Sequence, residues 1–209
     1  SPVTGAENLR LFEPIIRERT IDVLEHLPVG ESFDWVERVS IELTTRMLAT
    51  LFDFPFDERR KLTRWSDVAT AIPGMELIDS EEQRKEELLD CLEYFTRLWN
   101  ERVKLPPSND LISMLAHGEA TRNMPPMEYL GNLILLIVGG NDTTRSTMTA
   151  SVLGLHKNPG EFSKLKAQPE LIDSMVAETV RWQTPLAHMR RMAKVDTELG
   201  GQQIKAGDK

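Results

Sequence analysis

The stretch LLIVGGNDTTRSTM, Leu135 to Met148, decides how this chain is read. Apolar residues from Leu133 to Val138 run straight into Gly139, Gly140, Asn141, Asp142, Thr143 and Thr144. Helical spacing continues on both sides, from Met127 to about His156. Two readings fit. Gly139 and Gly140 can end one helix, with Asn141 or Asp142 capping the next. Alternatively, a weakened turn lies inside one long helix, at a cost of about 1 kcal/mol per glycine relative to alanine. In that second reading Thr143 turns its hydroxyl toward the carbonyl of Gly139, one turn earlier. Asp142 then sets a proton carrier beside a hydroxyl, and the glycines let a flat ligand approach the backbone. Neither phosphate-loop nor dinucleotide spacing is present, so these glycines do not read as a phosphate cradle.

Outward from this stretch, helical periodicity dominates. Phe12, Ile15, Ile16, Val23, Leu24 and Leu27 fall near one face of a first helix, with Pro14 placed in its opening turn. Val36, Val39, Leu43, Met47 and Leu51 share a face of a second, which Asp53–Pro55 stops. A shorter helix covers DERRKLTRWSDVAT, and AIPGMELID after it reads as a loop. A long helix follows Ser80, a predicted N-cap, with Leu88, Leu92, Phe95 and Trp99 in register. LPPSND precedes the short helix LISMLA, and two more helices separate near Pro169. Beyond Pro185, short alternating segments around Gly200 and Gly201 predict a β-hairpin. The expected architecture is mainly α: a single incomplete domain over residues 1–209, with a helical core at 8–183 and a β-hairpin region at 186–209.

Composition narrows the function. The 209 residues are 40% hydrophobic and 28% charged, an ordinary globular balance, and the net charge of −8 comes with no basic block. That argues against nucleic acid or an anionic membrane surface as the main partner. No apolar run approaches the roughly 20 residues of a membrane span. The start, SPVTGAENLR, lacks the features of a secretory signal. One cysteine excludes an internal disulfide and fits a reducing, cytoplasmic setting. Cys91 falls among Leu88, Leu92 and Phe95 and reads as a small core side chain. His26, His117 and His156 have no partner at metal-ligand spacing, and a metal hydrolase lacks clustered ligands.

Three motifs in order carry a resemblance. GGNDTT is similar to the oxygen groove in the central helix of cytochrome P450 monooxygenases, whose pattern is Ala/Gly-Gly-x-Asp/Glu-Thr-Thr/Ser. ETVR, Glu178 to Arg181, matches the family's Glu-x-x-Arg. By periodicity alone that pair reads as a surface pair, because Ile172, Met175, Val176 and Thr179 share the other face. TPLAHMRRMA resembles the strand that runs past the haem edge. In finer texture, LTTRMLATLFDFPFDERRKLTRWSD and TPLAHMRR resemble the bacterial branch that hydroxylates alkanes and fatty acids at the chain terminus.

The resemblance implies a P450 fold fragment, the central helices plus the start of the small β-sheet, and a set of roles. Asp142 relays protons and Thr143 supplies a hydrogen bond at the reacting oxygen. Gly139, Gly140 and Thr144 form the oxygen groove. Leu135, Val138, Gly139 and Leu186 line an apolar substrate pocket. Arg190 pairs with a propionate of heme b, and His188 joins it on the same face. The family's iron-ligating cysteine loop lies downstream of Glu-x-x-Arg, outside these residues, so the isolated chain is expected to be inactive. Dioxygen, an apolar small-molecule substrate, a ferredoxin and its reductase are the implied partners. The alternative from another class is a non-catalytic helical small-molecule-binding protein whose glycine break is only a hinge.

Overall fold

The computed structural model describes residues 6–75 and 77–209, with the side chains of Ala6–Leu9 left aside. Most of SPVTGAENLR and Glu76 of the predicted loop therefore lie outside the described residues. The helices are α1 (Ala6–Glu25), α2 (Glu42–Phe52), α3 (Arg60–Thr70), α4 (Glu81–Arg102), α5 (Leu111–His117), α6 (Pro126–Lys157), α7 (Pro159–Ala167) and α8 (Ile172–Gln183). A π-helical segment, Val36–Ile41, leads into α2, and 3-10 turns occupy Phe56–Glu58 and Pro169–Leu171. The fold is mainly α, with a two-stranded antiparallel sheet of β1 (Thr197–Leu199) and β2 (Gln202–Ile204).

α6 runs unbroken for 32 residues, so the weakened turn inside one helix is the reading that holds. It starts at Pro126, where a missing N–H costs nothing. Its buried residues Leu130, Leu133, Ile137 and Asn141 fall at helical spacing and face α2, α3 and α4. The core there is aromatic: the Phe52 and Phe95 rings lie 5.3 Å apart, and Phe54 stacks on Tyr94 at 5.0 Å. Cys91 is fully buried within it, and burial pushes its thiol pKa up. The predicted Ser80 cap is formed, and the start of α5 carries a cap as well, at Asp110. Ser80 accepts from the Gln83 N–H at 3.1 Å, and Asp110 accepts from the Ser113 N–H at 2.8 Å.

Three expectations need correction. Pro14 is not in a first turn: α1 begins at Ala6, so the proline is interior and withholds an N–H from the carbonyl four residues back. The buried face of the second helix is not the one set by Val36, Met47 and Leu51. The π segment inserts extra chain per turn and rolls the face, so α2 buries Leu43, Thr44, Thr45, Leu48, Ala49 and Phe52. Residues 184–196, including TPLAHMRRMA, form no strand. An extended segment needs a ladder partner, and here only Ala193 bonds across, to the backbone of Gly207 and Asp208. The hairpin itself stands where Gly200 and Gly201 put it, both at positive φ.

Candidate functional site

The weakened turn shows how the two glycines divide their work. Thr143 Oγ1 donates to the Gly139 carbonyl at 2.9 Å, as the sequence predicts. A hydroxyl has one proton, so this bond commits it and leaves the oxygen lone pairs to accept from the groove. A Cβ added at Gly139 would meet nothing within 4 Å, whereas one at Gly140 would lie 2.8 Å from Leu48 Cδ2. Gly139 therefore opens outward, and the space beside Gly140 is taken by α2. Gly140, assigned by resemblance to the oxygen groove, thus also has a packing reason to lack a side chain.

Leu135, Gly139, Asp142 and Thr143 follow one another at i, i+4, i+7 and i+8, which sets them along one line of α6. Leu135 is 71% exposed, the largest exposure of any apolar side chain on that helix, so the line faces away from the core. Val138 is half-buried, and Thr144 is exposed on the neighbouring face.

Asp142 is not isolated. Arg145 Nη2 lies 2.5 Å from its Oδ1 and 3.3 Å from Oδ1 of Asp67 on α3. One guanidinium is thus shared by two carboxylates from two helices. Burial pushes the Asp67 pKa up, Arg145 opposes it, and the Asp142 charge adds to the rise. The Asp142 side chain is 42% exposed and borders a cleft of about 600 Å³ lined also by Val36, Ser146, Thr149 and Gln183. A carboxylate with access to water, next to a hydroxyl, can carry protons between the two. Neither Arg145 nor Asp67 emerged from the sequence. Arg145 had a signal, three residues beyond Asp142 on a helix; Asp67, 78 residues from its partner, had none.

Glu178 and Arg181 form a bidentate pair, Nε and Nη2 each 2.6 Å from a carboxylate oxygen. The Arg181 hydrogen bonds hold the Glu178 carboxyl below its usual range. Both side chains are exposed, at 61% and 71%, as the periodicity of α8 predicts. Leu186, His188 and Arg190 follow on the extended segment and are all exposed. Among the described residues no hydrogen bond or ion pair joins residues 185–192 to α6, and no carboxylate lies within ion-pair distance of Arg190. A second cleft, about 440 Å³ between α6, α7 and α8, is lined by Gly154, Met175, Glu178 and Trp182 and holds neither Asp142 nor Thr143.

Known proteins resemble this chain along its whole length. Linalool 8-monooxygenase of Pseudomonas putida is 32% identical over 209 residues, all of this chain and 51% of its own length. A steroid C26-monooxygenase of Mycolicibacterium smegmatis is 30% identical over 199 residues, 95% of this chain and 45% of its own. Cytochrome P450-153 from Novosphingobium aromaticivorans superposes with a TM-score of 0.84 at 48% identity, covering 99% of this chain and 50% of that one. The chain belongs to the cytochrome P450 family. CYP153D17 from Sphingomonas sp. agrees, with a TM-score of 0.86 and 54% identity over 99% of this P450 chain and 52% of its own. No family model matches. The chain spans about half the length of the curated relatives it matches. Among the described residues no helix is long and apolar enough to cross a membrane.

Proposed function

We propose that this chain supplies the proton-delivery helix and one edge of the cofactor site of a haem-thiolate monooxygenase. Its substrate is apolar, a medium-chain alkane or fatty acid. The observation that carries the reading is the unbroken α6 with its Thr143–Gly139 bond, which places an outward-opening glycine, a carboxylate and a hydroxyl on one line.

The residues present fit a haem edge. Gly139 leaves room for a flat group, Leu135 and Val138 offer it apolar neighbours, and Arg190 presents a guanidinium suited to a propionate carboxylate. His188, two residues from Arg190, would stand beside it. Cys91, sealed in the core, is not available as an iron ligand. Haem, when bound, supplies the activation of dioxygen, with two electrons delivered by a ferredoxin and its reductase.

Everything else falls to side chains of this chain. Asp142 takes protons from the cleft water, and Arg145 holds its carboxylate in place. Thr143 receives a proton at its hydroxyl oxygen and passes its own onward as it releases Gly139, so a proton crosses from the cleft to the groove with no net change at the threonine. Leu135, Val138 and Leu186 hold an alkyl chain by burial, with no group that demands a polar substrate. The relatives named for linalool and steroid oxidation also act on largely hydrocarbon molecules, which supports an apolar pocket and leaves chain length to experiment.

The test is substrate binding and turnover by the full-length protein with a ferredoxin and reductase. Medium-chain alkanes or fatty acids should perturb the haem spectrum and yield terminally hydroxylated product. Terpene or steroid oxidation with no turnover of linear chains would overturn the substrate class.

A further inference from the structure

Asn141 sits in the middle of the active turn, yet it points into the protein. It is 0% exposed, on the buried face of α6 with Leu133 and Ile137, and α2 buries both apolar and hydroxyl side chains, Leu48, Thr44 and Thr45 among them. Its Oδ1 lies 3.1 Å from Thr44 Oγ1 on α2, a hydroxyl whose single proton also faces the carbonyls of Ser40 at 2.9 Å and Ile41 at 3.1 Å. Its Nδ2 has no hydrogen-bond partner. A leucine of the same branched shape would spare the desolvation of that donor, offset by the fit of two larger methyl groups, so asparagine is not kept here for stability. Buried polar groups that add no stability can still fix one conformation over its near alternatives.

We infer that Asn141 is a positioning residue that, through Thr44, fixes the roll of α6 and so the direction in which Asp142 and Thr143 face. This rests on the proposed role of those two residues. Apolar contacts between helices tolerate small rotations, because leucine and isoleucine repack with little loss. At the level of the active turn the steric key is weak as well, since Gly139 and Gly140 present no side chain and only Leu48 lies over Gly140. A directional hydrogen bond removes that freedom. A second one, Ser40 Oγ to Thr149 Oγ1 at 2.9 Å, anchors α6 to the π segment eight residues further on. Two anchors about 12 Å apart along the axis set both roll and register. The need is quantitative. A 20° roll moves a side-chain tip at a radius of about 6 Å by about 2 Å, and a displacement of about 1 Å is enough to cost a hundredfold in rate.

The experiment compares Asn141→Leu, Thr44→Val and the double variant in the full-length protein. Three quantities are read: melting temperature, product formed per dioxygen consumed, and hydrogen exchange of the amides of residues 139–143. Asn141→Leu should melt close to wild type, relief of the buried amide offsetting the larger methyls, while its coupling falls about tenfold or more and its exchange in that turn rises. Thr44→Val should reproduce the coupling loss, and the double variant should be no worse than either single one. A lower melting temperature with wild-type coupling and exchange would make Asn141 a structural residue and overturn the inference. If wild-type protein forms no thiolate-ligated haem, the functional reading fails separately. The exchange of residues 139–143 in Asn141→Leu then decides the positioning role by itself, with unchanged exchange refuting it.

Discussion

Replacing Gly140 by alanine has two opposed consequences, and the structure sets their sizes. Alanine gains about 1 kcal/mol of helix propensity over glycine. Its Cβ would stand 2.8 Å from Leu48 Cδ2 and 3.8 Å from Cγ, against a carbon–carbon optimum of about 3.5–4.0 Å. Leu48 is 2% exposed, so its methyl has to move by roughly 1 Å within packed surroundings. Overpacking of this kind costs about 1–3 kcal/mol, which leaves Gly140→Ala destabilising by about 0–2 kcal/mol. Leu48→Ala alone costs about 2–5 kcal/mol. On that background the clash is gone, so adding Gly140→Ala stabilises by about 1 kcal/mol. The predicted sign reversal corresponds to a coupling of about 1–3 kcal/mol. Urea unfolding followed by circular dichroism measures it as a change in midpoint at constant slope. If Gly140→Ala stabilises both backgrounds equally, α2 does not occupy the glycine's space and the account of the two glycines is wrong.

Other outcomes follow from the same contacts. Thr143→Ala in the full-length protein should divert dioxygen reduction from product to peroxide, while Thr143→Ser keeps the hydroxyl and most of the coupling; equal peroxide yields from all three proteins would remove Thr143 from the relay. Ser80→Ala should lower stability by about 1 kcal/mol through loss of the α4 cap, read from the same unfolding curves. Acid sensitivity should change in opposite senses at two carboxylates. Burial pushes Glu42 up, but hydrogen bonds from Arg46 and Arg59 outweigh it and hold its pKa below the ordinary 4.5. Its stabilisation is therefore present above that value and lost as pH falls through the lower folded one, so Glu42→Gln flattens the acid limb of the stability profile. The pKa of Asp67 is raised by burial, so its contribution is full below the ordinary 3.8 and declines as pH rises through the folded value. Asp67→Asn should remove that decline, and a steeper one would contradict the assignment.

What could be read from the sequence were features with a short-range cause. The Thr143–Gly139 bond, the Ser80 cap, the Gly200–Gly201 turn and the exposed Glu178–Arg181 pair each depend on residues at most four apart. The whole path of α6 was open at that level, because glycine cost and burial gain oppose each other and only tertiary packing shows which wins. Periodicity misplaced the face of α2 because it assumes a constant number of residues per turn, which the π segment breaks. The resemblance implied a strand at TPLAHMRRMA, and the segment is extended there without the ladder partner that a strand needs. The shared guanidinium of Arg145, the packing of Leu48 on Gly140 and the Thr44–Asn141 bond join residues 78 or more apart, and no local pattern announces them.

The central claim is that the turn at Gly139–Thr143 faces a thiolate-ligated haem. The most direct measurement is the absorption spectrum of the reduced, carbon monoxide-bound full-length protein. A strongly red-shifted Soret band is the predicted result. A folded protein without that band would contradict the account and leave a helical small-molecule-binding protein, with no relay for Asp142 and Thr143 to serve.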